Sequence, residues 1–358
     1  MSGPVKTTCP YCGVGCGVSV EVSTANSPAE SRVIAVSGDV AHPANAGKLC
    51  VKGTNLAGTL GHATRLKTPQ VNGADVTWSE AIRRVANGFR TTIDEFGPDS
   101  VAFYLSGQLL TEDYYVANKL MKGFIGSANV DTNSRLCMAS AVAAHKRAFG
   151  EDVVPCDYQD LNECELLVMV GSNAAWAHPV LFQSVLERRQ AGTLKVVVID
   201  PRATTTAQEA DLHLAIRPGA DLALFNGLLS HLHQVGATDL DFIQTHTSGF
   251  AGALEEIGAD DDNVADVASA CGLTEAELQT FFELFVQTKK VVTLYSQGVN
   301  QSVRGADQCN AIINCHLATG RLGKSGMGPF SITGQPNAMG GREVGGMANT
   351  LAAHMDFE

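Results

Sequence analysis

Residues 165–173 read ELLVMVGSN, and this stretch decides how the longer part of the chain folds. Its apolar run shows no alternation with polar residues and ends in Gly, Ser and Asn, which is typical of a strand buried on both faces. Helices are predicted after it, at 178–190 and at 274–288, where Thr274 and Glu277 form a capping-box pattern. The alternation predicts a Rossmann-like parallel sheet with ligand contacts at the carboxyl ends of its strands. Three later stretches follow the same strand pattern: KVVVID (195–200), ADLHLAI (210–216) and KKVVTLY (289–295).

The flanking regions predict a second α/β arrangement. Residues 79–96 have the apolar spacing of a helix, residues 100–107 have the composition of a strand, and residues 111–126 are helical again. The stretch 326–346 is rich in Gly, Pro and Asn and is predicted to be a loop.

Three cysteines crowd into CPYCGVGC (residues 9–16), and a fourth arrives much later. Cys9, Cys12 and Cys16 are followed by Cys50 after 33 intervening residues. Four thiolates can hold a [4Fe–4S] cluster, and the neighbouring glycines allow a tight wrap around it. The alternative is a structural zinc site, which normally pairs two C-x2-4-C halves. Three ligands in one loop with a distant fourth favour the cluster.

Composition excludes several classes of protein. The net charge is −12 and Lys and Arg form no block, which disfavours a nucleic-acid partner. No apolar run reaches the roughly 20 residues that cross a bilayer. The first residues, MSGPVKTTCPYC, lack the features of an export signal, so we expect a cytoplasmic protein. Cytoplasmic thiols stay reduced, so the ten cysteines are not expected to form disulfides.

Single residues elsewhere have two interpretations each. Cys137 precedes a predicted helix over 138–149, and a helix N-terminus favours the thiolate that ligates metals. A lone cysteine in an apolar context is nevertheless usually just a small buried residue. Lys52 places a cation beside the anionic cluster, or is an ordinary surface lysine.

The strand ends carry groups suited to a nucleotide. Gly171, Ser172 and Asn173 lie between a strand and a helix, where backbone amides can meet a pyrophosphate. Asp200 and Asp221 can accept hydrogen bonds from a sugar or from a guanine edge. Each aspartate is also a suitable helix N-cap, and the two roles are compatible.

A series of motifs then identifies a resemblance. CPYCGVGC, KLCVKG, NSRLCMASAV, GSNAAWAHP, DPRATTT, RPGADLAL, YSQGVNQSVRG and TGQPNAMGGREVGG follow one another along the chain. Over residues 5–358 this series resembles molybdopterin oxidoreductases of the dimethyl-sulfoxide-reductase superfamily, and within them the bacterial assimilatory nitrate reductases. The resemblance implies reduction of nitrate to nitrite at a molybdenum bis(molybdopterin guanine dinucleotide) centre fed by a [4Fe–4S] cluster. It also implies an electron donor such as ferredoxin, flavodoxin or an NADH-linked reductase.

The resemblance also implies roles for individual residues. Cys137 would ligate molybdenum, and Lys52 would lie on the electron path between cluster and pterin. For Gln108 and Asn133, which match pterin-contacting positions, ordinary turn chemistry is the alternative. The full set of implied cofactor-binding residues is Gln108, Asn133, Gly171, Ser172, Asn173, His178, Asp200, Arg202, Thr204, Gly219, Asp221, Gln297, Gly298, Asn300 and Gln301.

Two residues bear on the substrate. Formate dehydrogenases typically place His after the metal-binding residue, whereas Met138 stands here and could line a pocket for a small oxyanion. Ordinary helix packing is the alternative for Met138. Arg342 offers a cationic fork that suits planar nitrate, or forms a surface pair with Glu343.

The resemblance predicts three domains. A small [4Fe–4S] domain would occupy residues 1–60, a discontinuous α/β domain residues 61–150 and 325–358, and the Rossmann-like domain residues 151–324. Proteins of this kind are longer, so the C-terminal domain that completes the pterin site is expected to be missing and the chain alone to be weakly active or inactive. Formate dehydrogenase and a non-catalytic iron–sulfur electron-transfer subunit are the alternatives for function.

Overall fold

The computed structural model describes residues 3–23, 32–60, 65–259, 263–352 and 355–356. The strands are β1 (Val5–Thr8), β2 (Gly17–Ser23), β3 (Arg32–Gly38), β4 (Gln70–Val71), β5 (Ala74–Asp75), β6 (Phe103–Leu105), β7 (Val130–Thr132), β8 (Leu166–Val170), β9 (Lys195–Ile199), β10 (Leu212–Leu214), β11 (Val291–Tyr295), β12 (Gly328–Ser331), β13 (Thr350–Ala352) and β14 (Met355–Asp356).

The helices are α1 (Val51–Thr54), α2 (Leu56–Thr59), α3 (Trp78–Phe96), α4 (Thr111–Asn118), α5 (Ser134–Phe149), α6 (Tyr158–Glu163), α7 (Ala174–Ala177), α8 (Pro179–Gln190), α9 (Thr205–Gln208), α10 (Asp221–Gln234), α11 (Leu240–His246), α12 (Phe250–Ile257), α13 (Val264–Cys271), α14 (Glu275–Gln287), α15 (Gln297–Asn300), α16 (Gly305–Ala318) and α17 (Ala338–Glu343). A 3-10 turn (Pro98–Ser100) and a π-helix (Lys119–Ile125) complete the helical elements of the described residues.

Contacts between residues divide the chain into two units. Unit 1 comprises Met1–Arg135 with Gln335–Glu358, and unit 2 comprises Leu136–Gly334. The three-domain division stays a prediction, and its edges differ from the units in two places. Residues 136–150 belong to unit 2 because α5 packs into its core, and residues 325–334 do so because β12 pairs with β11.

Unit 2 is built on a five-stranded sheet in the order β10-β9-β8-β11-β12, and each neighbouring pair is parallel. This confirms the predicted parallel sheet. Residues 166–170 are fully buried because they face two cores. Leu166, Val168 and Val170 pack against α10, α14 and α16, whereas Leu167 and Met169 face the core beneath α6 and α8. Burial on both faces explains why the strand shows no polar alternation.

Four local predictions were wrong. Residues 326–346 contain β12 and α17 rather than a continuous loop, since β12 gains its hydrogen bonds from the distant β11. The strand predicted over 100–107 is limited to β6, and the helix over 111–126 changes to π-helix at Lys119. Helix α5 begins at Ser134, so Cys137 is its fourth residue and does not precede the helix.

Unit 1 contains four small strand arrangements among its described residues, of which β4 with β5 and β13 with β14 are two-stranded antiparallel pairs. β1, β2 and β3 form an antiparallel sheet, and β6 pairs with β7 in parallel. Val101, Met121 and Val130 form the core beside β6 and β7. No helix among the described residues is long and apolar enough to cross a membrane.

Lys122 lies in the π-helix and forms hydrogen bonds with the last part of unit 1. Its Nζ lies 2.6 Å from the carbonyl oxygen of Gly345 and 2.7 Å from that of Met347, and it also donates to the carbonyl of Thr350. One ammonium group thereby satisfies three backbone acceptors that follow α17.

Replacing Lys122 by methionine should lower the free energy of unfolding by about 2–4 kcal/mol, because partly buried carbonyls would lose a charged donor. Chemical denaturation followed by circular dichroism measures this. Lys119→Met is the matched control, since Lys119 is exposed and its Nζ only lies over the Tyr115 ring at 5.5 Å. Equal losses of unfolding free energy in the two variants would contradict a stabilising role of the Lys122 hydrogen bonds.

Candidate functional site

The cysteine loop of unit 1 connects β1 to β2. The amide of Cys9 donates to the carbonyl of Cys16 at 2.8 Å, which closes the loop at the ends of the two strands. Within it, the amide of Gly15 donates to the carbonyl of Cys12, and Gly15 has a φ of +64°. That left-handed conformation favours glycine and allows the chain to turn back between the second and third cysteines.

The four thiols converge on one another. The pKa of Cys16 is raised to about 11, first by burial and then by the charges of the Cys12, Cys9 and Cys50 thiolates. Cys50 immediately precedes α1 and so reaches the group from a separate element. Among the described residues, no three His, Cys, Asp or Glu side chains are placed to hold a single metal ion. Four cysteine sulfurs brought together from one loop and a second element fit an iron–sulfur cluster, which four cysteine ligands hold.

Lys52 lies in the first turn after Cys50. It is exposed, and its Nζ stands 5.9 Å from the centre of the Tyr11 ring, within the range of a cation–π contact. The Tyr11 hydroxyl donates to Thr59 Oγ1 at 2.6 Å, which fixes the ring. The lysine is thus held over the cysteine loop, although its part in electron transfer stays a prediction.

Side-chain amides collect around Gly107 in unit 1. A Cβ on Gly107 would lie 2.3 Å from Gln335 Oε1 and 3.0 Å from Asn133 Oδ1. The Oδ1 of Asn133 is buried and has no hydrogen-bond partner among the described residues. Gln108 joins this region to the cysteine loop, since its carbonyl accepts from the amide of Gly13 at 2.7 Å. Gln335 was missed from the sequence, although it lies in the quoted motif TGQPN.

Arg342 occupies the last turn of α17 and is half-buried. A half-buried guanidinium is held more rigidly than one on an open surface, which is compatible with anion binding.

In unit 2, two glycines allow the ends of β8 and β11 to touch. A Cβ on Gly171 would lie 2.6 Å from the Cα of Gly298, and one on Gly298 would lie 2.5 Å from the Cα of Gly171. The amide of Gly298 donates to the carbonyl of Gly171 at 3.0 Å. Beside them, Ser172 is buried and its Oγ has no partner among the described residues. A polar oxygen left unpaired at a strand end fits a ligand group there.

The Gly171→Ala variant should have a free energy of unfolding about 2–4 kcal/mol below that of the wild type. The added methyl group would overlap Gly298, and the φ of +55° is strained for any residue with a Cβ. Gly192→Ala is the control. It has a similar φ of +71° but no atom within 4 Å of the added Cβ, so it should cost only about 1–2 kcal/mol. Urea denaturation of both variants separates the steric effect from the backbone effect, and equal losses would contradict the close approach.

Asn173 is joined to the loop after β9. Its Oδ1 accepts from Thr206 Oγ1 at 2.8 Å, and Thr206 in turn accepts from the amide of Ala175 at 3.0 Å. Thr204, a predicted cofactor contact, caps α9 by accepting from the amide of Ala207. These bonds bring the GSN and DPRATTT motifs together at the carboxyl edge of the sheet.

The two predicted acidic acceptors, Asp200 and Asp221, interact electrostatically. Asp200 and Asp221 are both buried, and the pKa of Asp221 is raised by burial and, more weakly, by the Asp200 carboxylate. Asp200 Oδ1 accepts a hydrogen bond from the amide of Arg202 at 2.9 Å, and the carboxylate can accept further hydrogen bonds. Gly219, with a φ of +84°, shapes the turn before Asp221.

His178 joins the loops after β8 and β12. Its Nε2 donates to the carbonyl of Thr333, and burial lowers its pKa, which favours the uncharged form of the ring. The other ring nitrogen, Nδ1, is buried and has no hydrogen-bond partner among the described residues.

Cys137 and Met138 lie against α15. The Nε2 of Gln297 is 2.9 Å from Cys137 Sγ, and the Nδ2 of Asn300 is 3.4 Å from Met138 Sδ. Cys137 and Met138 are buried and belong to the larger core of unit 2. Met138 therefore packs as an ordinary helical residue, and its predicted contact with an oxyanion stays a prediction. Gln301 is exposed, and its amide donates to the carbonyl of Gln297 at 2.9 Å.

Both units contain residues that match known protein families. Residues 65–356 match the molybdopterin oxidoreductase family, and residues 4–62 match the Fe4S4 domain of molybdopterin oxidoreductases. The chain belongs to the molybdopterin oxidoreductase family. This confirms the resemblance found in the sequence, and it supports a [4Fe–4S] cluster and a molybdopterin cofactor rather than a zinc site.

Several relatives of this chain are named nitrate reductases. The protein of that name from Klebsiella oxytoca is 54% identical over 99% of this chain and 39% of its own length. That from Shewanella frigidimarina is 53% identical over 99% of this chain and 38% of its own length. The chain thus spans about two fifths of these relatives. Acetylene hydratase from Pelobacter acetylenicus shares the fold, with a TM-score of 0.65 and 20% identity over 87% of this chain and 42% of that chain.

The remaining cysteines of the chain are buried, as expected from their scattered positions. No disulfide forms among the described residues, which include all ten cysteines. Cys309 and Cys315 lie in α16, where Cys315 Sγ donates to the carbonyl of Phe225 at 3.3 Å. These thiols are part of the core of unit 2.

Proposed function

We propose that the chain is the N-terminal portion of an enzyme that reduces nitrate to nitrite in nitrate assimilation. The observation that carries the proposal is the identity of 54% and 53% to two nitrate reductases across nearly the whole chain. The net reaction takes one nitrate, two electrons and two protons to one nitrite and one water.

The cofactor proposed for this reaction is molybdenum bis(molybdopterin guanine dinucleotide). When bound, it supplies two-electron oxygen-atom chemistry. In unit 2, Cys137 would ligate the metal, and the backbone at Gly171 and Gly298, where the ends of β8 and β11 touch, would lie beside the cofactor. The unpaired Oγ of Ser172 supports this fit.

We assign guanine recognition to the buried acidic pair. Guanine presents N1–H and N2–H donors on one edge, and Asp200 and Asp221 offer buried carboxylate acceptors that interact with each other electrostatically. Arg202, Thr204 and Gly219 would shape this pocket through the turns described above. Two carboxylates that repel each other when ionised are stabilised by a ligand that donates hydrogen bonds to them.

Electron input is assigned to unit 1. The cluster held by Cys9, Cys12, Cys16 and Cys50 would receive electrons from ferredoxin, flavodoxin or an NADH-linked reductase, and Lys52 would lie on the onward path. Gln108 and Asn133 would contact the pterin, and Arg342 would attract nitrate through its charge and planar donors.

We also propose a cytoplasmic location. A relative from Haloferax mediterranei is named assimilatory nitrate reductase and is 38% identical over 99% of this chain, which supports an assimilatory role. A relative from Desulfovibrio desulfuricans, at 37% identity over 98% of this chain, is named periplasmic nitrate reductase. Cell fractionation with an antibody to this chain decides between the two compartments.

Paired dye assays on the full-length enzyme test the function. Nitrate-dependent oxidation of reduced methyl viologen is expected, with molybdenum and iron found by metal analysis. Formate-dependent dye reduction without nitrate turnover would assign the protein to formate oxidation. Iron without molybdenum would indicate a non-catalytic electron-transfer subunit.

A further inference from the structure

The side chain of Gln297 makes a contact that the proposed function does not use. Its Nε2 lies 2.9 Å from Cys137 Sγ, although the two residues are 160 positions apart in the chain. Gln297 begins α15 directly after β11, and Cys137 lies in the first turns of α5. The contact therefore joins two elements that the packing of unit 2 brings together.

The chemistry of a ligating sulfur determines which end of the carboxamide faces it. A sulfur bound to a metal carries no proton, so it can accept a hydrogen bond but cannot donate one. The NH2 group of Gln297 must then point toward Cys137. Its Oε1 accepts from the Ser296 hydroxyl, whose Oγ also lies 2.9 Å from the carbonyl oxygen of Ile332. Both ends of the carboxamide have a partner in this orientation.

Gly334 restricts the carboxamide from a further side. A Cβ at this position would lie 2.6 Å from Oε1 and 2.8 Å from Cδ of Gln297. The backbone of the loop after β12 therefore lies directly against the amide group. Ser296, Gly334 and the Cys137 sulfur together leave Gln297 little freedom to rotate, so its donor is pre-oriented.

We infer that Gln297 is a positioning residue for the Cys137 sulfur, orienting it and withdrawing electron density from it through an N–H···S hydrogen bond. The inference rests on the proposed function in one respect, namely that Cys137 ligates the metal. Hydrogen bonds to sulfur ligands tune the reduction potential of the metal they hold. A sulfur with less electron density donates less to the metal, so this bond raises the potential of the metal couple.

The contact itself can be tested without a metal. A double-mutant cycle in the 358-residue chain combines Gln297→Met, which keeps length and removes the donor, with Cys137→Ala. We expect a coupling of about two- to tenfold in the equilibrium constant of unfolding, the range of one hydrogen bond. Gln287→Met is the matched control, because Gln287 is an exposed residue at the end of α14, and it should show no coupling to Cys137→Ala.

The effect on the metal requires the full-length, molybdenum-loaded enzyme. In a redox titration followed by electron paramagnetic resonance, Gln297→Met and Gln297→Glu should lower the midpoint potential of the molybdenum couple, and Gln287→Met should leave it unchanged. Turnover with nitrate should fall about ten- to a hundredfold, as for other residues that orient metal ligands.

The outcomes separate the two proposals. Unchanged midpoint potentials in both Gln297 variants, with molybdenum fully bound, would overturn the inference and leave the proposed function standing. A wild-type enzyme without molybdenum would overturn the proposed function. Additive stabilities in the double-mutant cycle would overturn the contact, whatever the metal content.

Discussion

A Cys16→Ser variant of the full-length enzyme should lose its iron–sulfur cluster and its nitrate turnover with a protein electron donor. Cys16 is buried, and its backbone closes the loop between β1 and β2 through the amide of Cys9. Serine is a poor cluster ligand, since its hydroxyl stays protonated where a thiol would ionise. Iron content should fall from about four atoms per chain to near zero, together with the visible absorption of the cluster.

The control for this variant is Cys271→Ala, which removes another buried thiol, from the core of unit 2. It should retain its iron, because Cys271 Sγ contacts only the carbonyl of Ala220 at 3.9 Å among the hydrogen bonds of the described residues. Iron retained in Cys16→Ser, with an unchanged cluster signal, would contradict the assignment of the four ligands.

Replacing Cys137 by alanine is expected to abolish nitrate turnover while leaving the cluster intact. Loss of a residue that merely orients a metal ligand costs about 10–100-fold in affinity or activity, so removing the ligand itself should cost more. Methyl viologen assays measure turnover, and metal analysis of the same sample measures molybdenum and iron separately.

The matched control is Cys315→Ala, which truncates another fully buried thiol in unit 2. It should keep molybdenum and turnover, at a stability cost of about 1–2 kcal/mol for the lost packing. Wild-type turnover in Cys137→Ala would show that the metal is held by another group. A loss of iron as well as molybdenum would point to a folding defect instead.

The parallel sheet could be predicted because its strands are buried on both faces, and such strands consist of continuous apolar residues. Leu166, Val168 and Leu167 are apolar in succession since successive side chains of one strand enter different cores. The turn residues at the strand ends were equally readable, because Gly171 and Asp200 follow their strands directly. The family was recognisable from motif order, which the family matches confirm, whereas the assignment of the four cysteines as cluster ligands stays a prediction.

Other features could not be predicted locally. The start of α5 was placed too late because the polar residues before Cys137 are typical of a loop, whereas Arg135 stabilises that first turn through Asp131 at 2.7 Å. Strand β12 was missed because a Gly-Pro start is unusual in a strand, and its partner β11 lies far away in sequence.

By itself, the sequence determined the residue types, their order and the period of the hydrophobic pattern. These are sufficient for a four-cysteine loop, a parallel sheet with polar strand ends, and Cys137 as the candidate metal ligand. Only the tertiary structure decided which of these groups meet. Gln297 was expected to contact cofactor, yet its amide lies against Cys137, with Ser296 and Gly334 holding it in place. The physical reason is that such contacts depend on how α5 and β11 pack. The spacing of Cys137 and Gln297 along the chain does not reveal that their side chains come within 2.9 Å of each other.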